Sequence, residues 1–247
     1  MENGVEMTIL EKKYQAIEEF TRRLLASEVE DSIAKIILFG SVRKGEARAD
    51  SDIDLLVLAA NSIDRVTEVC LDVSFETNVA LGESIEPLVY CLDTLRFPDS
   101  YFVYYNIKTG EEIYSMDEER LRRAESLGYL ELAEEYRRSA QNCSNCGDWR
   151  LAVDGAYNAA ELCAKGLLLL KLEDLPTSHG GLFGKFGELY IKPGILPREM
   201  GRALNKGLWL RAQARYERHA QIGQDEAKSM LDLATKLIAA LSNELGI

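Results

Sequence analysis

Two neighbouring acids and a glycine-serine pair carry the strongest chemical signal in these 247 residues. The segment opens with Gly40-Ser41 and, after ten intervening residues, reaches Asp52-Ile53-Asp54. On a strand, side chains two apart point to the same side, so the two carboxylates face one place. Close carboxylates raise each other's pKa unless a cation neutralises them. Oxygen ligands of this kind, shared with phosphate, suit Mg²⁺. Gly40 lets backbone approach a phosphate closely, and Ser41 adds a hydroxyl donor. Arg43 and Lys44 follow in the same loop, placed to meet a polyphosphate. A solvated strand face is the plainer account, and the flanks argue against it. Ile53, Leu55 and Val57 form one alternate set, while Asp52, Asp54, Leu56 and Leu58 form the other. Two acids at the head of an otherwise apolar face need a compensating charge.

Such residues need a strand, a turn and a second strand to hold them. Lys35–Phe39 is a short apolar run stopped by Gly40, the pattern of a buried strand, and Asp52–Leu58 reads as the next one. Ahead of them, Leu10, Tyr14, Ile17, Phe20 and Leu24 recur in steps of three and four, which predicts a helix from Met7 to about Glu28. A helix over Ile63–Leu81 and a third strand over Ile85–Leu92 follow, with Pro87 marking that strand as an edge. A helix around Asp99–Lys108, a turn at Thr109-Gly110 and an extended piece at Glu112–Tyr114 complete an α/β unit over residues 1–116.

From Asp117 strand signals disappear. Helices are predicted over Glu118–Asn142, Asp148–Leu172, Leu182–Tyr190, Arg198–Tyr216 and Gln224–Leu245, an all-α bundle spanning residues 117–247. Ala152, Ala156, Ala159, Ala160, Cys163 and Leu167 make a small-residue stripe suited to close helix packing. Trp149, Trp209, Tyr129, Tyr136, Tyr157, Tyr190 and Tyr216 read as core or interface residues.

Hydrophobic residues make up 47% and charged residues 28%, which excludes a disordered or fibrous chain. The net charge of -12 is lopsided: residues 1–116 carry 11 basic and 22 acidic side chains, residues 117–247 carry 18 and 19. The first part therefore repels nucleic acid unless a metal ion intervenes, and the second is nearly neutral. Apolar stretches such as Gly166–Leu170 are far short of a membrane span, and Met1–Glu6 has no secretory pattern, so a cytoplasmic location without membrane contact is expected. Five cysteines without a signal suit a reducing compartment. Cys143 and Cys146 lack two further ligands for zinc and read as residues of an inter-helix loop.

The strand, the Gly40-Ser41 turn, the ten-residue spacing and the Asp52-x-Asp54 pair together resemble the minimal nucleotidyltransferase core of the DNA polymerase β superfamily, over about residues 30–115. The resemblance implies an α+β fold, a small mixed sheet with helices on one side. It implies transfer of an NMP group from an NTP, ATP first, to a hydroxyl or amine acceptor that the sequence does not identify. On this match Gly40, Ser41, Arg43, Lys44 and Ser51 bind the nucleotide, and Asp52 and Asp54 hold Mg²⁺ or Mn²⁺. Glu86, on the next strand, stands where the family more often has Asp, and would help hold a second metal and deprotonate the acceptor.

The helical half resembles a HEPN domain over about residues 117–245. The resemblance rests on Tyr157-Asn158-Ala159-Ala160-Glu161-Leu162-Cys163-Ala164-Lys165, Ser178-His179 and Arg211-Ala212-Gln213-Ala214-Arg215-Tyr216. HEPN bundles commonly pair, which implies a homodimer through this half. Ribonuclease members use Arg, four to six residues, then His. Here seven residues separate Arg211 from His219 and three separate Arg215 from His219, so neither spacing fits. Arg215 and His219 are one helical turn apart and are expected to face one groove. With Arg198, Arg202, Lys206, Arg211 and Arg218 they suggest either RNA contact or a solvated face with dimer salt bridges, and the solvated face is preferred. His179 reads as a turn or cap residue. The competing function is a nucleotide-regulated RNA-binding module or ribonuclease of toxin–antitoxin type.

Overall fold

A computed structural model describes residues 7–247; the leader reading of residues 1–6 lies outside the described residues. The chain divides into two compact units, Met1–Leu121 and Arg122–Ile247.

In the first unit, helix α1 (Ile9–Leu24) starts at Thr8, whose hydroxyl accepts from the Glu11 amide while the Glu11 carboxylate accepts from the Thr8 amide. This reciprocal cap satisfies two otherwise orphaned donors. Strands β1 (Ile33–Phe39) and β2 (Ile53–Ala59) are almost continuously apolar and are buried on both faces. Between them lies the single turn α2 (Gly40–Arg43). Helix α3 (Ile63–Leu81) leads to β3 (Ile85–Cys91), α4 (Tyr101–Thr109) and β4 (Glu111–Ser115). The sheet order is β3-β2-β1-β4, with β2 and β3 parallel and the other pairs antiparallel. Pro87 lies on the edge strand β3, where its missing N–H interrupts no outer ladder.

Register divides the sheet into two faces. Ile36, Leu38, Ile53, Leu55, Val57, Ala59 and Ile85 pack with Ala16, Ile17 and Phe20 of α1 and Val66, Cys70 and Val73 of α3. The opposite face carries Phe39, Asp54 and Glu86, each directly across from the next: Phe39 pairs with Asp54 and Asp54 with Glu86. The folding core therefore lies on one face and the candidate chemistry on the other.

The second unit is helical: α5 (Glu118–Asn145), whose first turn straddles the division between units, then α6 (Trp149–Leu169), α7 (His179–Phe186), α8 (Arg198–Tyr216) and α9 (Gln224–Leu245). The alanine stripe of α6 is buried with Met230, Ala234, Leu237 and Leu241 of α9 in one core. Small side chains let the two backbones approach closely. Tyr129, Tyr157 and Tyr190 are buried and Trp149 packs partly buried against the same core, whereas Tyr136, Trp209 and Tyr216 are exposed and are not core residues. Cys143 lies inside the last turn of α5 rather than in a loop, and only Cys146 follows it; the loop reading of the pair is corrected to that extent. Burial pushes the free thiols of Cys70 and Cys163 up to about 12, the latter with help from Glu134, which leaves both inert as nucleophiles. Among the described residues no helix is long and apolar enough to cross a membrane.

Candidate active site

β1 delivers the chain into a turn that only glycine accommodates. Gly40 has φ +73°, in the left-handed region, and a Cβ there would overlap the Asp54 carboxylate and stand 2.8 Å from its Cγ. The turn and the acid are thus in direct contact across the β1–β2 ladder. Ser41 is half-buried, while Arg43 and Lys44 are exposed at the end of α2. The loop closes with the Glu46 amide donating to the Ser41 carbonyl at 3.0 Å.

Asp54 is half-buried at the second position of β2, and Asp52 is exposed just before the strand. Glu86, exposed on the edge strand, lies in register beside Asp54. Burial raises the Asp54 pKa, and the charges of Glu86 and then Asp52 raise it further; among the described residues no cation lowers it in return. Asp54 feels the charges of two further acids at one end of the sheet, so the donor set fits a hard divalent cation. Among the described residues no group of three or more His, Cys, Asp and Glu is arranged to hold a metal ion by itself. Mg²⁺ normally keeps waters and takes substrate phosphate oxygens, so two protein carboxylates are enough. The Ser51 hydroxyl accepts from the Arg48 amide at 2.9 Å and closes the turn leading to Asp52.

Lys13 is the residue that sequence reading passed over. It is 1% exposed, and its ammonium donates to the Ser51 carbonyl at 2.5 Å and pairs with Glu83. Ser51 immediately precedes Asp52, and Glu83 is three residues before Glu86, so one buried charge ties together the segments that deliver all three acids. The signal was present: Lys13 is a charged residue one step from the stripe Leu10, Tyr14, Ile17. Lys13→Met leaves Glu83, 13% exposed, without its partner. Removing one side of a buried pair costs about 3 kcal/mol or more. Urea denaturation is expected to show that loss, and a Lys13→Met/Glu83→Gln double variant is expected to recover part of it.

The candidate residues of the helical unit do not assemble as expected. α8 ends at Tyr216, so His219 lies in an exposed turn beyond it rather than one helical turn from Arg215. The cause is Arg150, whose guanidinium donates to the carbonyls of Ala214 (2.9 Å), Glu217 (2.9 Å) and Ala220 (2.8 Å) and fixes the chain as it leaves the helix. Arg215 forms a forked pair with Asp154 at 2.5 and 3.0 Å, and Arg211 approaches the same carboxylate at 3.4 Å. Both arginines are thus held by an acid of α6. His179 opens α7 behind the Ser178 cap, with Nδ1 3.5 Å from Glu161.

A mixed sheet presenting acids opposite a Gly-Ser turn, followed by a helical bundle, defines a nucleotidyltransferase joined to a second domain. Residues 23–119 match the polymerase β nucleotidyltransferase family and residues 127–245 match the HEPN domain family. A Methanocaldococcus jannaschii protein named for protein adenylyltransferase activity is 35% identical over 72 residues, covering 29% of this chain and 71% of its own. A second protein of that organism, named as a toxin, is 30% identical over 123 residues, covering 50% of this chain and 90% of its own. The chain belongs to the polymerase β-type nucleotidyltransferases and carries a HEPN domain after the transferase unit. Among solved structures, TT1696 from Thermus thermophilus is 25% identical with TM-score 0.42, covering 48% of this chain and 97% of its own. The spectinomycin adenyltransferase AAD(9) from Enterococcus faecialis, solved with ATP and spectinomycin, is 13% identical with TM-score 0.32, covering 91% and 98%.

Proposed function

We propose that the first unit transfers an NMP group from an NTP, ATP first, to a hydroxyl or amine acceptor, and that the HEPN unit holds the acceptor or pairs two copies of the chain. The observation that carries this is the contact of Gly40 with the Asp54 carboxylate, with Glu86 in register beside it and the charges of Glu86 and Asp52 raising its pKa. A glycine turn opposite uncompensated acids suits a ligand that is anionic at one end and brings a cation with it. Asp52 and Asp54 would hold Mg²⁺ or Mn²⁺, which when bound supplies charge neutralisation for the leaving pyrophosphate.

The chain's own residues do the rest. The turn at Gly40 admits phosphate oxygens close to backbone, and the Ser41 hydroxyl donates to one of them. Arg43 and Lys44, both exposed, offset the remaining charge. Glu86 takes the proton of the acceptor as its oxygen or nitrogen bonds to the α-phosphorus, the α–β phosphoanhydride bond breaks, and pyrophosphate leaves. ATP is favoured because one relative is named for adenylyl transfer to protein, and a protein side chain stands beside small molecules as acceptor for the same reason. The toxin name of the other relative keeps a toxin–antitoxin setting in view. RNA cleavage gains nothing from the geometry, because Arg211 and Arg215 are engaged by Asp154 and His219 is in a separate turn.

Intact-mass spectrometry after incubation with Mg²⁺ and mixed NTPs, alone and with a metabolite pool, tests the reading. A mass gain on the protein or on one metabolite names both base and acceptor. No transfer, no self-labelling and no NTP binding would refute it.

A further inference from the structure

One part of the first unit has no place in this chemistry. Helix α4 reads Tyr-Phe-Val-Tyr-Tyr over residues 101–105, yet only Val103 and Asn106 are buried. Phe102 is 47% exposed, Tyr105 45% and Tyr101 77%, an unusual density of aromatic surface on a short helix. The rings form two pairings, one with the sheet and one among the tyrosines. Phe102 meets Phe39 edge-to-face, with centroids 5.6 Å apart and planes at 84°. Tyr101 leans on Tyr105 at 6.1 Å. Phe39 immediately precedes Gly40 and is directly across from Asp54 in the ladder. Phe102 is therefore joined through Phe39 to the turn and to the sheet face of the acids, and Tyr101 and Tyr105 stand on the same short helix.

We propose that Phe102, with Tyr101 and Tyr105, is the stacking seat for the base of the nucleotide whose phosphates lie at the Gly40 turn. This rests on the nucleotidyltransferase reading and adds what the ligand's other end touches. Planar π-faces suit aromatic platforms, and tyrosine supplies large contact area at low entropic cost. A polynucleotide strand is a poor occupant, since residues 1–116 carry net charge -11. Stacking on rings reads area rather than hydrogen-bond pattern, so the seat discriminates weakly among bases and holds purines more tightly than pyrimidines.

Calorimetric titration of the full chain with Mg·ATP, Mg·UTP and Mg·tripolyphosphate tests it. The wild type is expected to bind ATP more tightly than UTP, and UTP more tightly than tripolyphosphate. Phe102→Ala is expected to weaken both nucleotides by about tenfold and leave tripolyphosphate unchanged. If Phe102→Ala also weakens tripolyphosphate, the substitution has disturbed Phe39 and the turn. A Tyr101→Ala/Tyr105→Ala variant, altered only at exposed rings, then decides by the same comparison. Unchanged nucleotide affinity in the deciding variant overturns the seat while leaving the transferase reading intact. A wild type that binds tripolyphosphate and ATP equally also overturns it, and one that binds no nucleotide overturns both readings. Loss of a partner protein from the aromatic variants, with nucleotide affinity unchanged, would assign the surface to docking instead.

Discussion

Replacing Asp54 with asparagine is expected to abolish nucleotide transfer and at the same time make the ligand-free protein more stable at neutral pH. The two effects share one cause. Burial, Glu86 and Asp52 all raise the Asp54 pKa, in that order, so the folded state holds a carboxylate it would rather have neutral. A group whose folded pKa lies above its unfolded value weakens folding wherever it is ionised in both states. That penalty is present at neutral pH and fades as pH falls through the raised folded value, where the folded state takes up its proton first. Asn keeps the volume and removes the charge, so its stabilising effect is expected at pH 7 and is expected to shrink as pH falls into the carboxylate range. Differential scanning fluorimetry of both proteins from pH 4 to pH 8 gives that profile. Activity moves the other way. Outer-shell residues of metal sites typically cost 10–100-fold when changed, so losing Asp54, proposed above as a direct ligand, is expected to cost at least about a hundredfold. Adding Mg·ATP is expected to reverse the ranking, since a ligand stabilises only the protein that binds it. An Asn variant that is less stable than wild type at pH 7, or that still transfers nucleotide, contradicts this account of Asp54.

Gly40→Ala is the second large effect, and it arises from sterics rather than charge. An L-residue at φ +73° costs about 1–2 kcal/mol, and its Cβ would also occupy the space of the Asp54 carboxylate. Either β1 and β2 separate locally or the acid rotates away, and both outcomes spoil the site. Loss of activity is expected to match that of Asp54→Asn, but with a fall in stability instead of a rise. A double-mutant cycle separates the two causes. In an Asp54→Ala background the overlap with the carboxylate is gone and mostly the dihedral strain remains, so the stability cost of Gly40→Ala is expected to be smaller there. Equal costs in both backgrounds would mean the turn and the acid do not touch.

Much of this was legible in the sequence because the signals are local. The run Lys35–Phe39, the stop at Gly40 and the alternation after Asp52 lie within a few residues of one another, and β1 and β2 form there. The predicted helix Ile63–Leu81 and the helices Arg198–Tyr216 and Gln224–Leu245 match residue for residue, with Gly82, Gly223 and Gly246 marking ends of the first and third and Pro197 the start of the second. What escaped depends on distant partners. Lys13 looked like one surface lysine until the fold brought it to Ser51, 38 residues away. Arg215 and His219 have the spacing of one helical turn, but the chain leaves α8 at Tyr216, where the guanidinium that fixes it is Arg150, more than sixty residues earlier. The aromatic run of α4 was plain to see, but only strand register puts Phe39, and with it Phe102, on the face of Asp54.

Whether Asp52 and Asp54 together hold a divalent ion alongside a nucleotide can be measured by electron paramagnetic resonance of Mn²⁺. The titration uses an ATP analogue whose α,β-bridging oxygen is replaced by methylene, so that nothing turns over. Wild type is expected to sequester Mn²⁺ when the analogue is present, and Asp52→Asn and Asp54→Asn are each expected to leave it free in solution. Equal Mn²⁺ binding by wild type and both variants would show that the ion, if it binds, is held elsewhere.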